Sequence, residues 1–312
     1  MDAVIARFFP YKIPFRERNR MREGLLLELE KDGKKGWGEI APLPHWNQET
    51  LEESKAQLEN ILPLLIKDQE VLSHFPLYPS VRFGTESALA ELQEPVSSAI
   101  SLPLSGLLLG TPREILKQAE KLKEEGIQTV KLKVSSLSFE DAKKLILELK
   151  NHFLLRIDVN RAWDFEDSVR FFNHFSPEIF EYIEEPVKKS EDLLHFKYPF
   201  AIDESFWKMD TNNLKNRDLT FLKALIVKPT MWGNLSLTSK LPVKIVLSSC
   251  YETAVGLHSI AQIARKLSLL SYPHGLDTGR YLSKDVVKEP LKISHGYLHF
   301  PAYLEITEEF RS

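Results

Sequence analysis

At 312 residues, with 43% hydrophobic and 27% charged side chains, the chain has the make-up of a globular protein long enough for one barrel and a smaller domain. A formal net charge of −3 gives no electrostatic case for nucleic acid or an anionic membrane surface, and no apolar run approaches the ~20 residues of a membrane span. The single cysteine, Cys250, excludes an intrachain disulfide and fits a reducing compartment. MDAVIARFFPYK also lacks the pattern of a signal peptide, so a cytoplasmic monomer or homo-oligomer is expected.

The first hundred residues read as an α+β lobe, residues 1–99. AVIARFFPYKIPF and GLLLELEKDGKKGWGEI read as antiparallel strands, with KDGKKG supplying the turn. Helical apolar spacing follows over Glu49–Lys67, interrupted by Pro63, and over Gly84–Leu92.

From Leu102 the rhythm becomes strand, helix, strand. Eight apolar runs stand out: LPLSGLLLG, TVKLKV, LLRIDVN, FEYIEEP, FAIDES, ALIVKPT, VKIVLSSC and LSLLSYPHG. Their apolarity is continuous rather than alternating, which suits strands buried on both faces in a parallel α/β barrel over residues 100–285. Helical stretches lie between several of them, such as Pro112–Glu125 and Phe139–Lys150. Thr111 is placed to cap the first, with Pro112 at its first position and Gly126 ending it. The tail KISHGYLHFPAYLEI returns to alternation, and residues from about 286 to 312 are expected to rejoin the first lobe.

Charged residues recur at the ends of these runs: Lys131 and Lys133, Asp158, Glu184, Asp203 and Lys228. From Lys133 onward the steps are 25, 26, 19 and 25 residues, about one strand–helix unit each. The C-terminal strand ends of a parallel barrel are where catalytic groups collect. Three carboxylates from separate strands offer the oxygen ligands of a hard cation such as Mg2+, and the lack of His or Cys among them argues against zinc. Any one strand-end acid is more simply a helix cap or a lysine's partner; three at matching ends are harder to explain that way. Spacing does not choose between Glu184 and Glu185, or between Asp203 and Glu204, because neighbours on a strand face opposite ways.

Lys131 and Lys133, two apart, share one face of their strand, with Val130, Leu132 and Val134 on the other. KLK taken alone reads more simply as a solvated edge pair; crowded into a barrel mouth, the two ammonium groups are expected to lower each other's pKa, which suits proton abstraction from carbon. Lys228 is expected to approach the substrate from the opposite side. A cation on a substrate carboxylate stabilises the enediolate formed when the α-proton leaves.

KLK, RIDVNRAW, IEEP, AIDES and IVKPT, in this order, resemble the muconate-lactonizing subgroup of the enolase superfamily; with GWGEIAPLPHWNQET, the likeness spans nearly the whole chain. RIDVNRAW, GEIAPLP, SSCYETAVGL and HGLDT are more narrowly similar to the o-succinylbenzoate synthase family of menaquinone biosynthesis. The resemblance implies a (β/α)7β modified TIM barrel with an α+β capping domain, and Mg2+ as cofactor with Mn2+ able to substitute. It implies Asp158, Glu184 and Asp203 as metal ligands, Lys133 as the acid/base with Lys131 tuning it, and Lys228 opposite, stabilising the intermediate through a cation–π contact. Arg156, Asn160 and Glu204 are implied around the ligands. The implied reaction is syn-dehydration of 2-succinyl-6-hydroxy-2,4-cyclohexadiene-1-carboxylate. The same machinery would serve an N-succinylamino acid racemase or dipeptide epimerase; a barrel without catalysis is disfavoured by the intact set of acids and lysines.

The superfamily's capping loops select substrate, and here they correspond to residues 17–22 and 43–47. Arg18, Arg20 and Arg22 can attract an acidic substrate tail or simply be solvated. Ser248 and Ser249 can bind a substrate carboxylate or cap the following helix. Trp37, Trp46, Trp163, Trp207 and Trp232 are expected to pack, and Cys250 to be small and buried.

Overall fold

The computed structural model describes residues 4–16, 19–67, 72, 75–208, 220–233 and 243–311. Strands β1 (Ile5–Pro14), β2 (Met21–Lys31) and β3 (Lys34–Ile40) form an antiparallel meander. Asp32 and Gly33 make the β2–β3 turn, both at positive φ (51° and 75°), as a two-residue hairpin turn of this hand requires. β2 is apolar on both faces because both are covered. Leu25, Leu27 and Leu29 lie under helices α1 (Leu51–Lys67) and α2 (Pro79–Gln93), and Leu26 faces the barrel and the C-terminal tail.

Helix α1 runs through Pro63 rather than being interrupted there. Pro63 is exposed while Leu58, Ile61, Leu62 and Leu65 stay buried, so packing of the apolar face outweighs the lost backbone bond. Helix α2 starts five residues before the expected Gly84, with Pro79 in its first turn. It lies directly on β3: a Cβ at Gly38 would stand 1.9 Å from the Gly84 carbonyl oxygen, so only glycine permits this approach.

The run from Leu102 divides. β4 (Ile100–Pro103) pairs with β13 (Tyr297–Phe300), which pairs with β12 (Lys292–Ser294). β5 (Ser105–Leu108) opens a parallel sheet continued by β6 (Thr129–Lys133), β7 (Leu154–Asp158), β8 (Phe180–Glu184), β9 (Phe200–Ile202), β10 (Leu222–Val227) and β11 (Lys244–Leu247). The expected eighth strand shrinks to two residues. His274 bridges to Leu104 and Gly275 to Ser248, joining the two edges of the sheet into a barrel. Most of LSLLSYPHG instead turns out of the preceding helix, where Leu269 N–H bonds the Ala264 carbonyl and Ser268 takes φ 58°.

Helices α3 (Pro112–Glu124), α4 (Phe139–Leu149) and α5 (Phe165–Phe172) cover the barrel, followed by the short α6 (Pro229–Trp232) and by α7 (Ala254–Lys266). Thr111 and Glu114 form a reciprocal capping box at α3, and Gly126 follows its end at φ 78°. Val130, Leu132 and Val134 pack outward under the helices. Inside the barrel, Tyr182, Ala201, Ala224, Ile226 and Val246 pack with Tyr272.

The tail divides too. Residues 292–300 pair with β4, whereas Val286, Val287, Leu304, Ile306 and Phe310 pack with Tyr11, Ile13, Leu26 and Trp37 of the antiparallel sheet. Among the described residues no helix is long and apolar enough to cross a membrane.

Candidate active site

The parallel register aligns the charged residues at one end of the barrel. Lys133 pairs with Asp158, and Asp158 with Glu184, across β6, β7 and β8; Asp203 and Lys228 directly follow β9 and β10. They open into a cavity of about 990 Å³, whose roof is residues 20–23 and 42–52 of the first lobe.

The acids and lysines pair directly. Lys131 Nζ lies 3.1 Å from Glu184 Oε1 and 3.1 Å from Asp158 Oδ2. Lys133 Nζ donates to Asp158 Oδ2 at 2.8 Å and to Asn160 Oδ1 at 2.9 Å, and Lys228 Nζ donates to Asp203 Oδ2. Lys133 keeps 31% of its side chain exposed against 17% for Lys131 and 13% for Lys228, so it meets the cavity most openly.

Both doublets separate. Glu184 and Asp203 line the cavity. Glu185, at φ 46°, turns the other way: its Oε1 accepts the N–H of Asp203 at 2.7 Å and of Ser205 at 2.8 Å, and its Oε2 accepts the Ser205 hydroxyl. Glu185 therefore holds the backbone that carries Asp203. Glu204 is largely buried, its Oε2 has no protein partner, and burial together with Asp203 raises its carboxyl above the usual range.

The expected depression of the lysine pKa is not what this arrangement produces. Burial alone would lower Lys131 and Lys228. The carboxylates of Glu184, Asp158 and Asp203 outweigh it at Lys131, and Asp203 chiefly does so at Lys228, so both lie above the ordinary lysine range. At Asp158 burial is likewise overcome, here by Lys131 and Lys133, and its carboxyl falls below the usual range. Burial, with repulsion from Asp158 and Asp203, pushes Glu184 up to about 7.

Asp158 and Glu184 end successive strands and Asp203 follows the next, so the three present oxygen donors at one end of the barrel, the donor chemistry that Mg2+ or Mn2+ takes. The repulsion that raises Glu184 is what a cation among the acids would relieve. Each carboxylate here is turned to a lysine, and among the described residues no three Asp, Glu, His or Cys side chains converge closely enough to hold an ion. The donor set fits the metal; the side-chain arrangement is that of lysine-paired acids.

Asn160, at φ 49°, ties Lys133 to Asp158: its Oδ1 accepts from the lysine and its N–H donates to Asp158 Oδ1 at 3.0 Å. Arg156 does not contact the three carboxylates. It is buried on the cavity floor, bonded to Glu181 at 2.7 Å and lying over the rings of Tyr182 and Tyr272. Ser248 and Ser249 line the cavity, but Ser249 is bonded to Thr278 at 2.6 Å, and the cap of α7 is Thr253 rather than either serine. Arg20 is exposed at the rim. Arg22 is neither solvated nor turned to substrate: it is 1% exposed and donates to the carbonyls of Ala41, Pro42 and Tyr251, tying the two lobes together. Arg18 lies outside the described residues.

Among the tryptophans, Trp37, Trp163 and Trp232 are buried as expected. Trp207 is half exposed against Trp232, and Trp46 is half exposed at the cavity, its ring 5.6 Å from Lys228 Nζ. Cys250 is buried. Asp277 and Thr278, within HGLDT, and Ser105 also line the cavity, roles that no spacing in the sequence signals. Asp277 accepts Leu107 N–H at 3.1 Å, and burial pushes it up to about 6.

Two family models match: MenC, N-terminal domain, over residues 6–92, and Enolase C-terminal domain-like, over residues 114–211. An o-succinylbenzoate synthase from Salmonella dublin is 31% identical over 277 residues, covering 84% of each chain. Among solved structures, o-succinylbenzoate synthase from Thermosynechococcus elongatus BP-1, complexed with Mg in the active site, superposes with a TM-score of 0.73 at 24% identity, covering 94% of this chain and 96% of that one. The L-Ala-D/L-Glu epimerase from Bacillus subtilis superposes with a TM-score of 0.79 at 19% identity, covering 98% of each. These structures share the capped barrel fold, and the sequence relationship carries the narrower assignment. The chain belongs to the o-succinylbenzoate synthase family of the enolase superfamily, a family of lyases.

Proposed function

We propose that the protein catalyses the syn-dehydration of 2-succinyl-6-hydroxy-2,4-cyclohexadiene-1-carboxylate to 2-succinylbenzoate and water, a step of menaquinone biosynthesis. The sequence relationship to the o-succinylbenzoate synthases carries the choice of this reaction, and the placement of Lys133 and Lys228 supports its proton chemistry. Their strands, β6 and β10, are four apart in the sheet order, so the lysines face each other across the cavity with the three acids between.

Asp158, Glu184 and Asp203 would hold Mg2+, or Mn2+ in its place. When bound, the ion supplies positive charge to a substrate carboxylate and so acidifies the adjacent carbon. Lys133, the most open of the three lysines, takes the α-proton as its neutral amine. The C–H electron pair first passes into the ring and its carboxylate, and then forms the new ring double bond as the hydroxyl departs from the same face. Lys133 then returns the proton to that oxygen, so that water leaves and the ring is aromatic. Lys228, opposite, offers its cationic head to the face of the anionic ring. Lys131 and Asn160 hold Asp158 and Lys133 in place. Arg20 at the rim, with Ser248 and Ser249 on the wall, are the side chains that would meet the carboxylates of the substrate.

The second reading is racemisation of N-succinylamino acids or epimerisation of a dipeptide, with Lys133 and Lys228 exchanging protons on opposite faces. The likeness in fold to the Bacillus epimerase favours keeping it. Incubating the purified protein with the cyclohexadiene acid and with N-succinyl amino acids, in Mg2+, decides between them. Fast formation of 2-succinylbenzoate is expected; racemisation without dehydration would overturn the assignment.

A further inference from the structure

Three polar side chains outside the lysine–carboxylate cluster link the capping loop to the strand end that bears Lys228. The Asn47 amide nitrogen donates to the Thr230 carbonyl at 3.1 Å and to Glu49 Oε1 at 3.1 Å, while its oxygen accepts Leu43 N–H at 2.9 Å. One amide thus closes its own loop and anchors it to the barrel. The Thr230 hydroxyl donates to Glu252 Oε1 at 2.5 Å, and Glu252 Oε2 accepts the N–H of Cys250. Thr230 and Glu252 are 0% exposed, and a carboxylate so buried is tolerated only with its oxygens occupied. Here they are occupied by the two loops that carry Lys228 and Ser248–Cys250.

Thr230 governs Lys228 through the backbone. The Lys228 carbonyl accepts the N–H of Met231 at 2.8 Å and of Trp232 at 2.9 Å, so the turn containing Thr230 moves with it. Trp46, one residue from Asn47, places its ring over Lys228 Nζ. The far side of the turn is clamped as well: a Cβ at Gly233 would stand 2.8 Å from Pro79 Cα of helix α2.

We propose that Asn47, Thr230 and Glu252 form a positioning relay that makes seating of the capping loop and placement of Lys228 one event. The relay rests on the reading that Lys228 works opposite Lys133. Shape and hydrogen bonding can be separated at position 230. Thr230→Val keeps the shape and removes the donor, and Thr230→Ser keeps the donor.

With the cyclohexadiene acid, Thr230→Val should lower kcat about tenfold or more while KM changes less than about threefold. Thr230→Ser should recover most of that loss. Asn47→Ala, at a site less costly to fold, should lower kcat in the same direction, and the double variant Asn47→Ala/Thr230→Val should be little worse than the poorer single one. Hydrogen exchange on the unliganded protein needs no substrate: Thr230→Val should speed exchange across residues 43–49, and Asn47→Ala across residues 228–232. A wild-type protein inactive on this substrate would sink the functional reading alone, and exchange would still decide the relay. Wild-type kcat in Thr230→Val, or exchange changes confined to the mutated lobe, would overturn it.

Discussion

The carboxylate of Glu39, at the end of the antiparallel sheet, accepts the N–H of Thr253 at 3.0 Å together with its hydroxyl, at the N-terminus of helix α7 on the barrel. It also accepts Gly256 N–H at 2.9 Å and the Tyr11 hydroxyl at 2.5 Å, and it is 0% exposed. A negative charge among the free N–H groups of a helix start is favourable, and here it joins the two lobes that enclose the cavity. The motif GEIAPLP thus has a physical content: Gly38 admits helix α2 and Glu39 docks the lobe.

Glu39→Ala should therefore strip four buried donors of their acceptor. Destabilisation of about 3 kcal/mol or more is expected in urea unfolding, with Glu39→Gln losing less because one carbonyl acceptor remains. Equal stability of all three proteins would contradict the docking role.

A second carboxyl sets a pH dependence. Glu91 on helix α2 accepts the N–H of Trp37 at 2.8 Å, and burial pushes it up from 4.5 to about 6. A raised folded-state pKa means that the native form keeps its proton longer than the unfolded form does. The contribution of Glu91 to stability is therefore greatest below pH 4.5, falls as pH rises to about 6, and stays reduced above it. Glu91→Gln keeps an acceptor for Trp37 and removes the charge. It should be more stable than wild type by about 2 kcal/mol at pH 8 and no more stable at pH 4, as read by urea unfolding at each pH.

Metal removal addresses the acids. Activity should vanish in EDTA and return with Mg2+ or Mn2+, and turnover that persists after dialysis against chelator would remove the carboxylate cluster from the reaction. Glu185→Ala frees the backbone of Asp203 without touching a proposed ligand, and calorimetry should show Mg2+ bound about 10- to 100-fold more weakly. Unchanged Mg2+ affinity would mean that Asp203 needs no such support.

How far the sequence can be read depends on what produces each feature. The acids and lysines were legible because parallel strands return to the same end at a nearly constant interval, so charge at run ends maps onto one mouth. Arg22 is not, because an arginine satisfied by four backbone carbonyls has the same local sequence as one in water. The closing rung, His274–Gly275, escaped because two residues carry no periodicity. The raised pKa of Lys131 is not legible either, because pairwise repulsion is visible in KLK, whereas the carboxylates that outweigh it come from strands far along the chain. Glu185 is the middle case: adjacency showed that it must face away from Glu184, but not that it faces the Asp203 backbone.

The proposed role of Lys133 is to move the proton. Its most direct test is single-turnover dehydration of the cyclohexadiene acid by Lys133→Ala, with Mg2+ binding and circular dichroism measured on the same sample. With the fold and metal affinity retained, the rate should fall by about a thousandfold or more. A folded, metal-binding Lys133→Ala protein that dehydrates within about tenfold of wild type would contradict it.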